Sequence, residues 1–135
     1  MKVYVSAKWQ LKDVVSEMQR MIIDEGHSLT ADWTTRAFAR QYDKFALSGQ
    51  YADEEAKAIL EADVLIHLSD MGGKGKYVDL GCGITGAILQ EHPKIYVVGN
   101  PADESQFYFH PKVKRIVGEP IYSLEKIILP EMRTL

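Results

Sequence analysis

The sequence predicts a doubly wound α/β sandwich built on a parallel sheet. Short apolar runs rich in β-branched or aromatic residues alternate with amphipathic helical segments. Each run ends in polar, glycine or asparagine residues, as buried parallel strands do. No repeat, low-complexity tract or linker divides the 135 residues, so the expectation is one domain spanning 1–135.

The first strand is Val3-Tyr4-Val5. From Lys12 to Glu25, Val14, Val15, Met18, Met21, Ile22 and Ile23 recur at three- and four-residue spacing, and Gly26 supplies a helix stop. His27 to Trp33 is the second strand candidate. From Gln50 to Ala62, the residues Ala52, Ala56, Ile59 and Leu60 form one apolar stripe. Val64-Leu65-Ile66-His67-Leu68 follows as a strand. A helix is expected from Tyr77 to Leu89, with Val78, Cys82, Ile88 and Leu89 near one face. Ile95-Tyr96-Val97-Val98 is the next strand, a weaker one surrounds Val113 to Val117, and a last helix starts at Ser123 as its N-cap. Ligands of such folds sit beyond the carboxyl ends of the strands, which points to the loops after Val5, Leu68 and Val98.

Composition narrows the function classes. A net charge of −3 argues against a surface for a nucleic-acid polymer. The single cysteine, Cys82, excludes an internal disulfide framework and a multi-cysteine zinc site. His27, His67, His92 and His110 lack metal-ligand spacing, so neither a metal nor a cofactor is expected. No run approaches the roughly 18 to 20 apolar residues of a membrane span, and the N-terminal apolar run is too short for a signal peptide. The expectation is a cytoplasmic protein.

Two glycine motifs are misleading. Gly81-Cys82-Gly83-Ile84-Thr85-Gly86 spells the dinucleotide fingerprint and, with Val78-Asp79-Leu80, resembles the first methyltransferase motif. Both need a strand ending at the first glycine and a long α/β domain after it, for which the remaining chain is too short. A glycine-rich helix packed closely against something fits better. Gly72-Gly73-Lys74-Gly75-Lys76 lacks the spacing and the Ser or Thr of a phosphate loop, and reads as a mobile loop over a site.

Asp79 stands out chemically. At the start of a predicted helix, backbone N–H groups and the helix dipole should hold its carboxylate ionised. Alternatively it merely caps that helix. Gly81, Gly83 and Gly86 in the next two turns each cost about 1 kcal/mol relative to alanine. Close approach of a ligand or of a neighbouring helix would account for that cost.

Val3-Tyr4-Val5-Ser6-Ala7, Glu61-Ala62-Asp63-Val64-Leu65-Ile66, Gly75-Lys76-Tyr77-Val78-Asp79-Leu80-Gly81 and Lys94-Ile95-Tyr96-Val97-Val98-Gly99 resemble, in order, the nucleoside 2-deoxyribosyltransferase superfamily, which includes nucleotide N-glycosidases. The resemblance implies a flavodoxin-like fold with a five-stranded parallel sheet. It also implies cleavage of the N-glycosidic bond of a (deoxy)nucleoside or its 5′-monophosphate, by hydrolysis or base transfer, through a carboxylate at the sugar C1′.

In that family the position of Asp79 usually holds a glutamate that attacks C1′. A second carboxylate, usually aspartate, precedes the acid of the Ala-Asp pair by eight residues, which here gives Glu55. The resemblance therefore makes Asp79 and Glu55 the catalytic pair, with the two acid types exchanged. One carboxylate serves as nucleophile or stabilises an oxocarbenium-like centre while another acid protonates the departing base. Aspartate reaches roughly 1.5 Å less than glutamate, which favours a water between Asp79 and C1′ and hence direct hydrolysis. A non-catalytic nucleotide-sensing domain of the same fold is the alternative.

Further site candidates cluster around this pair. Ser6, Lys8 and the N-terminus of the following helix are candidates to grip a phosphate, and Trp9 to stack on a base. The alternative is a surface lysine and a packed tryptophan. Asp70 is either a ribose or base contact or a turn residue. Gly81 is a further substrate contact, Asp32-Trp33 a pocket wall, and Tyr51 and Tyr77 either orient a carboxylate or pack. The aromatic segment Gln106 to Pro111 reads as an exposed interface. Since family members assemble as oligomers, the resemblance implies a homo-oligomer.

Overall fold

The computed structural model describes residues 1–36, 45–100 and 105–135. Strand β1 (Lys2–Ser6) leads through a single 3₁₀ turn (Trp9–Leu11) into helix α1 (Lys12–Asp24). Strand β2 (Ser28–Leu29), helix α2 (Phe45–Glu61), strand β3 (Val64–Leu68), helix α3 (Lys74–Gln90), strand β4 (Lys94–Val98) and strand β5 (Val113–Ile116) follow. The chain ends in a continuous helical stretch: α4 (Pro120–Ser123), a π-helical turn (Leu124–Ile128) and α5 (Leu129–Met132).

All strand pairs are parallel, in the order β2-β1-β3-β4-β5. That is the flavodoxin-like order, with its switch point between β1 and β3. The register sets Tyr4 beside Leu65 and Ser6 beside His67, then Leu65 beside Ile95 and His67 beside Val97. Because side chains alternate along a strand, these residues share the face that α3 covers. Ser6 hydrogen-bonds Asp79, and Leu65 meets Gly83. Tyr96 lies on the opposite face, where its hydroxyl donates to Glu131 of α5 across 2.9 Å.

Several boundaries differ from the sequence reading, and α2 begins at Phe45, five residues before Gln50. The second strand stops at Leu29 because the Asp32 carboxylate accepts from Thr34 N at 2.9 Å and caps a 3₁₀ turn (Trp33–Thr35). The last helix starts at Pro120, whose fixed φ suits the first helical position, and the Glu119 carboxylate caps it through Ile121 N and Tyr122 N. Helix α3 starts at Lys74, three residues before Tyr77, because Gly72 and Gly73 at φ +86° and +78° turn the chain into the helix early.

Two of the three fingerprint glycines, Gly83 and Gly86, are packing glycines, while Gly81 faces open space. A Cβ on Gly83 would lie 2.4 Å from Leu65 Cδ2, and one on Gly86 would lie 3.1 Å from Leu60 Cδ2 and the His92 carbonyl. The absent side chains let α3 approach both the sheet and α2.

The aromatic segment is not uniformly exposed. Phe107 and Phe109 are each 55% exposed, but Tyr108 is buried. The turn capped by Ser105 sends the Tyr108 hydroxyl to His67 Nε2 at 2.9 Å and stacks its ring on Tyr77 at 6.3 Å. Among the described residues no helix is long and apolar enough to cross a membrane.

Candidate active site

A cavity of about 490 Å³ opens at the switch point. Strand β1 and the loop after it supply Tyr4, Ala7, Lys8, Trp9 and Gln10, and the turn after β2 supplies Trp33. Helix α2 contributes Glu55, while the start of α3 contributes Gly73, Gly75, Lys76 and Asp79. Two acids distant in sequence thus line one cavity.

Asp79 accepts a hydrogen bond from Ser6 Oγ at 2.8 Å. Because α3 begins at Lys74, Asp79 sits in the second turn, where backbone N–H groups are already used within the helix. The expected hold on an ionised carboxylate is therefore absent. Burial raises the Asp79 pKa to about 7; the Ser6 hydrogen bond lowers it and the nearby Glu55 charge raises it.

Glu55 is also raised by burial, with Arg36 pulling the other way and Glu54 adding to the rise. Arg36 Nη1 lies 2.9 Å from Glu55 Oε1, and Nη2 lies 3.0 Å from Glu54 Oε2.

Tyr4 lies between these groups electrostatically. Its hydroxyl is buried and, among the described residues, has no hydrogen-bond partner. Burial raises its pKa, and the charges of Asp79 and Glu55 raise it further. An orphaned phenol in a cavity wall is costly to folding and available to a ligand.

Two cations lie toward the other end. Lys8 Nζ donates to the Met71 carbonyl at 2.9 Å and lies 3.9 Å from Asp70 Oδ2. Lys76, only 2% exposed, donates to the Asp70 carbonyl and sits 5.0 Å over the Tyr77 ring. Its charge and, above all, burial push the His67 pKa down to about 3, which keeps that imidazole neutral. On the opposite side Trp9 and Trp33 meet at 6.1 Å with a 46° tilt. Trp33 is fixed by its Nε1 hydrogen bond to the Val5 carbonyl at 2.7 Å.

Of the residues singled out from sequence, Asp79, Glu55, Lys8, Trp9 and Trp33 line the cavity. Ser6 is buried and reaches the site through Asp79. Asp70 lies past the Lys8 contact and borders a separate cavity of about 380 Å³ beside Leu68 and Val98. Gly81 is on the exposed side of α3, outside the lining, with no heavy atom within 4 Å of a built Cβ. Tyr77 packs on Tyr108 and His67, whereas Tyr51 carries Arg36 4.5 Å over its ring.

Sequence reasoning missed Tyr4, Gln10, Arg36 and Lys76. Tyr4 had a usable signal, two residues before Ser6 on the same strand face. Lys76 had one as well, three residues before Asp79 on one helix face. Among the described residues no group of three or more His, Cys, Asp or Glu is gathered to hold a metal.

No protein-family model matches the chain, and no curated protein matches it. A solved structure does resemble it: the Clostridium botulinum CMP N-glycosidase BcmB, with a TM-score of 0.68 and 14% sequence identity. The match covers 95% of this chain and 99% of that one, so the likeness in fold extends over nearly all of both molecules.

Proposed function

We propose that the protein cleaves the N-glycosidic bond of a nucleoside 5′-monophosphate, by hydrolysis or transfer to a second base. The observation that carries this reading is the convergence of Asp79 and Glu55 on one cavity. A breaking glycosidic bond develops positive charge at C1′, which a carboxylate at van der Waals distance stabilises. In this reading Asp79 faces C1′ from the α3 side, with Ser6 as its hydrogen-bonding support and the Tyr4 phenol, unpartnered among the described residues, as a donor that engages only once substrate is bound. Glu55 stands on the side of Trp9 and Trp33, whose rings offer apolar faces for the base.

Phosphate recognition is supported by Lys8, Lys76 and the uncapped first turn of α3 at Gly73 and Gly75. In the hydrolytic cycle the C1′–N bond breaks with its electron pair leaving on the base. Water then adds to C1′, and its proton balances the one taken up by the base. The similarity in fold to a CMP N-glycosidase is consistent with this chemistry.

Self-association is part of the proposal. Val78 and Leu89, 67% and 79% exposed, leave apolar surface along α3, and Phe107 and Phe109 leave more beside β5. Light scattering after size exclusion at micromolar concentration is expected to give a dimer or larger.

The functional test is a panel of nucleosides, deoxynucleosides and their 5′-monophosphates, with and without a second free base, followed by chromatography. Base release without acceptor identifies a hydrolase, and exchange only with acceptor a transferase. Thermal stabilisation by a nucleotide with no release would identify a nucleotide sensor and end the enzymatic reading.

A further inference from the structure

Arg36 lines a recess that shares Glu55, Trp9 and Trp33 with the main cavity. Its guanidinium lies 4.5 Å over the Tyr51 ring while its two terminal nitrogens reach Glu55 at 2.9 Å and Glu54 at 3.0 Å. The side chain is only 14% exposed. A planar fork held by a ring on its face and two carboxylates at its edge is confined to one position. Glu55 is thereby fixed as well. It borders both the main cavity and an adjoining recess between Trp9, Trp33, Arg36 and Tyr51. Among the described residues its Oε2 takes no hydrogen bond. An ionised carboxylate accepts hydrogen bonds and donates none.

We infer that Arg36 holds Glu55 as a fixed acceptor for the exocyclic amino group of the base, so that the site takes cytosine or adenine nucleotides in preference to their oxo counterparts, uracil and hypoxanthine. This inference rests on the reading of the ligand as a nucleotide whose base lies against the tryptophans. An amino group in that position donates to Glu55. An oxo group there sets lone pairs against a carboxylate whose guanidinium partner opposes uptake of a proton. Among the described residues, Arg36, Glu54, Asp79 and Tyr4 are the charged or titratable groups that act on or feel Glu55, and of these Arg36 forms an ion pair with it. Arg36 is accordingly a positioning residue, acting through Glu55. Glu55 reads the base, while Asp79 attends to the sugar.

Two matched pairs test this, cytidine against uridine monophosphate and adenosine against inosine monophosphate, which differ at that position as amino against oxo. Affinities are measured by calorimetry on the Asp79→Asn protein and kcat/KM for base release on the wild type. The amino member is expected to win by roughly 10- to 100-fold. Glu55→Gln, whose amide both donates and accepts, brings the ratio close to one. Arg36→Gln lowers the ratio most at acidic pH, where an unclamped Glu55 takes up a proton, and Arg36→Lys restores part of it.

Equal affinity within both pairs, an oxo preference, or an unchanged ratio in Glu55→Gln overturns the inference. The two readings separate cleanly. Amino preference in binding without base release defeats the N-glycosidase proposal and leaves this one standing. Base release without preference does the reverse, and no nucleotide binding defeats both.

Discussion

Ser6 Oγ lies 2.8 Å from Asp79 Oδ2, so the last residue of β1 and the second turn of α3 are joined by one hydrogen bond beside the cavity. That bond favours the ionised carboxylate, against a burial that raises its pKa to about 7. If Asp79 acts at C1′ as an anion, base release rises as pH climbs through 7. Ser6→Ala removes the opposing influence, raises the Asp79 pKa further and moves this limb to higher pH. The rate at pH 7 falls several-fold, while the plateau at alkaline pH is retained. A pH–rate profile that coincides with the wild type would contradict the coupling.

Tyr4 separates stability from activity. Its buried hydroxyl has no partner among the described residues, so Tyr4→Phe removes an unsatisfied polar group without leaving another behind. The variant should be as stable as the wild type or more so, by up to about 1 kcal/mol in denaturant unfolding, while base release falls. Loss of stability would mean that the hydroxyl is satisfied in solution by a group the account omits.

The glycines of α3 predict opposite signs two residues apart. Gly83→Ala forces a methyl against Leu65 Cδ2 at 2.4 Å in the core and should destabilise by roughly 1 to 3 kcal/mol. Gly81→Ala meets open space and should stabilise by up to about 1 kcal/mol through helix propensity. Chemical denaturation of both variants checks the pair, and equal effects would contradict the packing account.

Much of the fold was legible because parallel strands covered on both faces read as continuous apolar runs, as in Val64 to Leu68. The close packing of the glycine-rich helix was legible for a related reason, and it falls on Gly83 and Gly86, where Leu65 and Leu60 approach, while Gly81 meets open space. The ionisation of Asp79 was misread because it hung on a helix start. Gly72 and Gly73 moved that start back to Lys74, a shift that propensity does not encode. Arg36 was illegible for a different cause. Its contact with Glu55 depends on the path of the turn after β2, which the Asp32 cap and the Trp33 bond to Val5 set together. Tyr108 disappeared into an aromatic run whose members differ in burial only through tertiary contacts with His67 and Tyr77.

Glu131 fastens the C-terminal helix to the sheet edge. It accepts from Lys94 and Lys114 at 2.5 Å each and from Tyr96 at 2.9 Å, and the lysines hold its pKa down to about 2. A folded-state pKa below the unfolded value contributes stability that is fully present above about pH 5 and disappears as pH falls toward 2. Glu131→Gln should therefore lower the melting temperature at pH 7, and the difference from the wild type should shrink steadily on acidification. A difference independent of pH would mean that the glutamate acts through packing.

The most direct test of the central claim is base release by the wild type and by Asp79→Asn from the best nucleotide of the panel, with nucleotide affinity measured on the same two proteins. Asp79→Asn is expected to bind within a few-fold of the wild type and to lose at least about 100-fold in base release. Undiminished release by the folded Asp79→Asn protein would contradict it.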